Sequence, residues 1–584
     1  LIHGVYANHK GFRSVEFEAG LNLIVADRSQ AAGDKDTTNG LGKSALIDIV
    51  DYCLGSGPRP KEGLRVEPLK DWAFTLDITL GGAKVRVTRH TIEPGFVEVE
   101  GDVSTWPAIR ATNKAGQVGF DIKQWRSLLG WALFGVGDKA NVTTYAPSAR
   151  SLLAYFVRNH PPVYLSPFTH FEKQKTWDAQ LHNAFLLGLD WEKAAKWQVL
   201  KDQKNALDAL KKAIKTGAID GELSSIGELE AQRIQLEGRL TQENEALANF
   251  QVLPQYRQTE QEANRLTAQI HALVNSNMTA GRRIDRYSDN LQDEGAATPD
   301  RLEALYSEAR VVLPEAVKKT LEQARSFNSE IVKNRRHFLA NEVAELQARI
   351  ASQEEELEQL SSDRAILLNL LKGHGALEEL TALQEMHATT RTHFEALIAR
   401  INQLRQMATR LDQIKVATVD LKRSAELDYD ERRAVWSKAL RLFADNSEHL
   451  YKTPGRLLID IDDTGYRYDV EIDGGTSEGI SKMKIFCYDL MLVAFARGRG
   501  LGIDFLIHDS TIFDGVDPRQ RAHAIELAVQ MSEKYGFQYI LTLNSDALPT
   551  DDFSAEFEAH DYIRLVLTDT DPSGSLLGFR YKAK

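Results

Sequence analysis

Thr37-Thr38-Asn39-Gly40-Leu41-Gly42-Lys43-Ser44 stands between a short apolar run, Leu21 to Val25, and a helix-forming run, Ala45 to Leu54. Strand, glycine-rich turn and helix in that order read as a phosphate-binding loop. The N–H groups of the turn and the open N-terminus of the helix cradle phosphate oxygens. Within that cradle Lys43 reaches the β- and γ-phosphates, and the Ser44 hydroxyl serves Mg2+. The expected nucleotide-binding residues are Asn39, Gly40, Gly42, Lys43 and Ser44. One position departs from G-x-x-x-x-G-K-S: its first glycine is Thr37.

The chain has 584 residues, too many for one ordinary domain, and length alone suggests about three to four units. Apolar residues make up 43%, enough for a folded core, while 26% charged residues and a mean hydropathy of −0.34 predict long solvated helices as well. A net charge of −12 excludes a uniformly basic nucleic-acid binder but leaves room for a local basic patch. Cys53 and Cys487 are the two cysteines, far apart and in apolar surroundings. They build neither a metal site nor a disulfide framework, so a reducing cytoplasm is expected. Neither a long apolar span nor a signal peptide is evident, and no membrane role is expected.

Residues 1–190 mix short strands and helices. Phe74–Leu80 and Lys84–Thr88, joined by Gly81-Gly82, predict a hairpin; Trp125–Phe134 and Ser151–Val157 predict helices. From 191 to 435 the composition turns to Glu, Gln, Lys, Arg, Leu and Ala. Ile226, Leu229, Arg233, Leu236, Leu240, Glu243, Leu247 and Phe250 recur at three and four residues. The same spacing returns from Leu339 to Leu371 and, after Gly373-His374-Gly375, from Leu380 through His387 and Thr390 to Leu404. Such repeats specify coiled-coil helices. Two periodic blocks around a poorly periodic stretch near 275–335 predict an antiparallel hairpin with its tip or elbow there. Arms of about 100 residues reach roughly 150 Å if unbroken, and Pro254 and Gly373–Gly375 predict kinks. Globular patterning resumes from 436 to 584. It offers strands Leu457–Ile461 and Arg467–Ile472, a helix Ser481–Arg497, the strand Phe505-Leu506-Ile507 ending in His508-Asp509, a helix Pro518–Tyr535 and the strand Tyr539–Thr542.

A phosphate-binding loop at one end, a coiled-coil hairpin between, and an apolar strand ending in Asp509 at the other resemble the SMC/RecN-type ABC ATPases. In those proteins the hairpin splits one nucleotide-binding head into two halves. A closer resemblance is to the YydD-like family, which carries a C-terminal domain of unknown function and supplies the ATPase of bacterial ABC-three-component systems. It rests on Gly20-Leu21-Asn22-Leu23-Ile24, the insert Ala26 to Asp36, Asn39 to Ser44, Asp51 to Gly55, Phe338-Leu339 after Asn334-Arg335-Arg336, and Phe505 to Asp517. The implied fold is an α/β split P-loop ABC-type ATPase head with a long antiparallel coiled-coil hairpin between its halves.

What the resemblance implies differs from residue to residue. Asp509 matches the Walker B aspartate, which with Ser44 serves Mg2+. The following residue, usually a catalytic Glu, is Ser510, which is no base near neutral pH. Asn544 stands where a histidine usually meets the γ-phosphate. Gly475 to Lys482 is the counterpart of the signature motif, with Ser477 and Gly479 favoured over Ser481 and Lys482 for contacting ATP across a dimer. Glu478, Asp514 and Asp517 are alternative carboxylates near the site. Arg13 matches a basic residue near the phosphates, and Arg89 a position contacting the opposite helix or DNA, unless both are surface arginines. Gln124, Gln174 and Gln180 are candidates for the Q-loop glutamine. His508 reads as a core histidine. The basic residues Arg282, Arg283, Arg286, Lys318, Lys319, Lys333, Arg335 and Arg336 form a candidate DNA or acidic-partner contact; a solvated helix face with paired charges explains them equally well.

The implied protein is a slow ATPase that binds ATP and Mg2+ and forms a homodimer through its heads. It would act as the sensor of an anti-phage defence system, beside an effector and a small middle component. A DNA-repair or chromosome-organising SMC-like ATPase and a non-hydrolysing assembly switch are the alternatives. Nothing in the chain resembles a nuclease, protease or deaminase constellation.

Overall fold

The computed structural model describes residues 1–27, 40–57, 63–136, 145–159, 161–215, 225–250, 257–296, 316–371, 376–472 and 477–579. They fall into two compact units. One gathers Leu1–Leu200 and Thr418–Lys584 from the two ends of the chain; the other draws on Lys201–Ala304 and Ala324–Ala417.

The first unit, the head, is built on two sheets and a hairpin. Alternating apolar and polar residues give an antiparallel sheet in the order β2 (Val15–Glu16), β1 (Ile2–Ala7), β4 (Ala73–Leu80), β5 (Ala83–His90), β6 (Phe96–Glu100), β8 (Val118–Asp121) and β7 (Ala111–Thr112). Gly81 and Gly82, with φ of 54° and 81°, make the left-handed two-residue turn between β4 and β5.

The second sheet is parallel throughout, in the order β14 (Ile563–Thr568), β3 (Gly20–Asp27), β13 (Gln538–Asn544), β12 (Phe505–His508) and β9 (Val157–Arg158). Strands from the two ends of the chain interleave: Ile24 of β3 pairs with Thr542 of β13, and His508 of β12 with Arg158 of β9. The central strands are continuous apolar runs, because helices cover both faces. Leu23, Ile24, Leu506, Ile507, Ile540 and Leu541 are all buried. Helix α1 (Lys43–Cys53) follows β3; α2 (Ile122–Phe134), α3 (Ala149–Leu153) and α4 (Thr176–Leu186) complete the N-terminal part. The helix expected over Ser151–Val157 stops at Leu153. The aromatic and β-branched residues that follow turn into β9, where Phe156 O accepts from Ile507 N at 2.8 Å.

Helix α5 (Trp191–Lys215) follows in the chain. The second unit holds most of α6 (Ile226–Asn249), α7 (Arg257–Ala296), α8 (Ala316–Leu371) and α9 (Ala376–Glu431). Their partners run antiparallel: Glu230 meets Arg405, Glu243 meets Thr390, and Ser276 meets Gln353, so one number falls as the other rises. On α6 the heptad positions face inward, with Leu229 and Glu243 most buried. Glu243, His387 and Thr390 make a polar layer in this seam, with the Thr390 hydroxyl donating to Glu243 at 3.0 Å. Residues 275–296 and 316–335 are helical; 297–315, Pro254 and Gly373–Gly375 lie outside the described residues.

Back in the head follow α10 (Arg433–Tyr451), the antiparallel pair β10 (Arg456–Asp462) and β11 (Gly465–Glu471), α11 (Glu478–Gly498) and α12 (Pro518–Tyr535). This is the expected fold class: an α/β head split in sequence by an antiparallel coiled-coil hairpin.

Candidate functional site

The C-terminal edge of a parallel sheet is where α/β folds gather chemistry, and here β3, β12 and β13 deliver their last residues to one place. Gly40 and Gly42 have φ of 92° and 103°, conformations that favour glycine. At Gly42 a side chain is also excluded by space, because a Cβ would lie 2.6 Å from Leu576 Cβ. Gly42 caps α1 without any side-chain bond, and the first turn of α1 carries no acidic residue. Its N–H groups therefore suit an anion. Asn39, with Thr37 and Thr38, lies outside the described residues.

Lys43 Nζ donates to Asn544 Oδ1 at the end of β13. Burial pulls the Lys43 ammonium below the usual lysine range, although Asp509 and Asp546 work against that. Ser44 Oγ donates to Asp509 Oδ2 at 2.9 Å, and Thr542 Oγ1 reaches the same oxygen at 3.4 Å. The other oxygen, Oδ1, accepts from Ser510 Oγ at 3.2 Å and from Thr511 Oγ1 at 3.1 Å. Lys43, Ser44, Asp509, Ser510 and Asn544 thus form one cluster from opposite ends of the chain. Hydroxyl and carboxylate oxygens are the donor set that suits Mg2+. Among the described residues no group of three or more His, Cys, Asp or Glu side chains could hold a metal by itself.

Other expected residues lie elsewhere or point elsewhere. Arg13 donates to Val566 O at 2.7 Å and Gly574 O at 3.1 Å, pinning the C-terminal segment whose Leu576 abuts Gly42. Ser477 caps α11, accepting from Ile480 N at 3.4 Å, and Ser481 Oγ donates back to Ser477 O. Gly479 packs so tightly that a Cβ would sit 2.4 Å from Gly515 O. Lys482 turns inward and donates to Tyr164 O at 3.4 Å. Glu478 is exposed, Asp517 caps α12, and partial burial raises the Asp514 carboxyl against the pull of Lys482.

Arg89 is neither a surface arginine nor a DNA contact. It is fully buried over the Tyr52 ring and donates to the carbonyls of Tyr52, Ser56 and Pro94, tying β5 to the end of α1. Gln174 bonds Asp178, Gln180 bonds Thr464 O, and Gln124 is exposed. Instead Asn159, directly after β9, donates to Asp48 of α1 at 2.7 Å. His508 is buried between Asp489 and Tyr539, and burial lowers its pKa. Arg282, Arg283 and Arg286 on α7 and Arg336 on α8 are exposed; the side chains of Lys318, Lys319, Lys333 and Arg335 lie outside the described residues.

Sequence reading missed a buried group behind the cluster. The Arg158 guanidinium spends all five N–H groups on Asp489, Val163 O, Pro167 O and Thr169 O. Tyr164 stands beside it. The segment reads locally as the end of a helix, and Pro161-Pro162 beyond it was the available signal.

A family model described as "Uncharacterised protein conserved in bacteria (DUF2326)" matches residues 446–581, the part that carries Ser477, Asp509, Ser510 and Asn544. "Uncharacterized protein YydD" of Bacillus subtilis (strain 168) is 20% identical over 594 residues, covering 96% of both chains. A Pyrococcus yayanosii Smc head domain with a coiled coil and joint is 14% identical, covering 94% of this chain and 93% of that one, at a TM-score of 0.34. The recombination mediator RecF with ATP is 9% identical, covering 95% and 93%, at a TM-score of 0.27. Among the described residues no helix is long and apolar enough to cross a membrane.

Proposed function

We propose that the chain is an ATP-binding, SMC-like ABC ATPase whose two head halves, near 1–190 and 436–584, act as one nucleotide site. The observation that carries this reading is the single cluster of Lys43, Ser44, Asp509 and Asn544 at the end of a parallel sheet. Its buried ammonium, bonded to the neutral Asn544 and beside an uncapped helix start, suits a triphosphate. Ser44 and Asp509 would hold Mg2+, which would offset phosphate charge. Asn159, next to α1 and at the end of β9, takes the part sought for a Q-loop glutamine.

Heads of two copies would close on nucleotide, with Ser477 at the start of α11 meeting the partner's phosphates. Closure would move the coiled-coil arms. By the resemblance, the chain serves as sensor ATPase of an anti-phage system with an effector and a middle component, and the exposed Arg282, Arg283 and Arg336 suit DNA phosphates. A second reading, an ATP switch with little hydrolysis, is favoured by Ser510, whose hydroxyl is bound to Asp509 and can take no proton from water near neutral pH.

The test is ATP turnover by the purified chain, with and without double-stranded DNA, beside Lys43→Ala and Ser510→Glu. Loss of turnover in Lys43→Ala is expected; wild-type turnover there sinks the assignment. Faster turnover in Ser510→Glu supports slow hydrolysis through a missing base.

A further inference from the structure

Tyr164 lies one turn of chain beyond β9 and touches both sides of the candidate site. Its hydroxyl donates to Arg158 O at 2.8 Å and accepts the Asp509 N–H at 2.9 Å, an N–H that Arg158 O also accepts at 3.1 Å. Its carbonyl accepts from Lys482 Nζ at 3.4 Å, and the same ammonium stands 5.3 Å from the centre of its ring. The ring is buried and meets His508 edge-on at 6.2 Å. One residue therefore contacts the backbone of Asp509 and the first turns of α11.

The segment that presents Tyr164 is itself fastened. Arg158 grips the carbonyls of Val163, Pro167 and Thr169 and is anchored on Asp489, in the middle of α11. A phenol hydroxyl donates and accepts at once, so one group serves both bonds.

We propose that Tyr164 is a positioning residue for Asp509, fixing the backbone from which the carboxylate reaches Ser44 and tying the start of α11 to that same point. The role is distinct from the Ser44 and Thr542 bonds, which hold the carboxylate; Tyr164 holds the peptide behind it. This inference rests on the nucleotide-site reading, in which Asp509 serves Mg2+.

Tyr164→Phe keeps the ring and removes the bridge. Tyr155→Phe is the matched control: that tyrosine is equally buried and bonds Phe168 O at 2.8 Å in the same segment, with no bond to Asp509. In the full chain without ligand, residue-resolved amide exchange at Asp509 should speed up about threefold in Tyr164→Phe, part of the worth of one ordinary hydrogen bond, because Arg158 O still accepts that N–H. It should be unchanged in Tyr155→Phe. With mant-ATP as probe, affinity in EDTA should stay within about twofold of wild type in Tyr164→Phe, while the Mg2+ concentration for half-maximal binding rises about fivefold. Wild-type behaviour of Tyr164→Phe in both measurements overturns the proposal, as does an equal shift in Tyr155→Phe. Should Lys43→Ala bind mant-ATP like wild type, the nucleotide reading fails, and exchange at Asp509 alone decides the positioning role.

Discussion

Replacing Asp489 with Leu should destabilise the head, and replacing Arg158 with Met should do so more; combining them should undo part of the damage. Both side chains are fully buried and meet through two bonds, Nε to Oδ2 at 2.5 Å and Nη2 to Oδ1 at 2.8 Å. Asp489→Leu strands a buried guanidinium and costs about 3–5 kcal/mol. Arg158→Met strands a buried carboxylate, left with His508, and also orphans the carbonyls of Val163, Pro167 and Thr169. At about 1 kcal/mol for each carbonyl, that variant costs ~6–8 kcal/mol. The double variant carries no buried charge but keeps the carbonyl loss and adds imperfect repacking around the new side chains, ~3–5 kcal/mol. Adding Asp489→Leu to Arg158→Met should therefore raise stability by about 3 kcal/mol. Calorimetry of the full chain reads this as a head transition about 4 °C higher in the double variant than in Arg158→Met. A double variant that melts below both single variants, with additive losses, would refute the coupling.

Three further outcomes follow from single positions. Gly479→Ala has no room beside Gly515 O, so the start of α11 must shift; the head dimerisation proposed to follow ATP binding, read by sedimentation, should weaken at least about tenfold. Gly238→Ala on α6, which meets open space, should instead stabilise the coil by about 0.5–1 kcal/mol. Because burial lowers the Lys43 pKa, the ammonium loses its proton at a lower pH than an exposed lysine does. Nucleotide affinity is then full on the acid side of that titration and falls as pH rises through it, before the usual lysine range is reached. Lys43→Arg should move the fall in mant-ATP binding to higher pH, and a wild-type affinity flat across that range contradicts the role of the buried charge.

The heptads were legible because a coiled coil is written in local spacing: Leu229, Leu339, Leu380 and Ile401 are buried where the repeat puts them. Strand β12 was legible as an apolar run closed by Asp509, and the Lys43-Ser44 start of α1 as a glycine-punctuated turn. What local pattern does not carry is partnership across the chain. Val157 and Arg158 look like the end of a helix until Ile507, some 350 residues later, offers them a ladder. Arg89 looks like a surface residue at the end of a hairpin, because nothing nearby announces the carbonyls of Tyr52 and Ser56 that take its charge inside. The inward turn of Lys482 depends in the same way on Tyr164.

Ser510 and Asn544 fill the two positions where sequence reasoning looked for proton-handling groups, and each is already bonded to the charge beside it. Ser510 donates to Asp509, and Asn544 accepts from Lys43. A carboxylate in place of Ser510 would stand next to Asp509, whose charge adds to the burial that raises Asp514, so like-charge repulsion would push its own pKa up. Serine avoids that repulsion and leaves Asp509 free to be neutralised by Lys43 and by a cation. On the function proposed above, such an arrangement would favour holding ATP over hydrolysing it. On this argument Ser510→Glu gains hydrolysis only as far as the new glutamate ionises, so any gain in turnover should grow as pH rises through neutrality, whereas a gain independent of pH would mean that Ser510 restrains the site by its bond to Asp509 rather than by lacking a base.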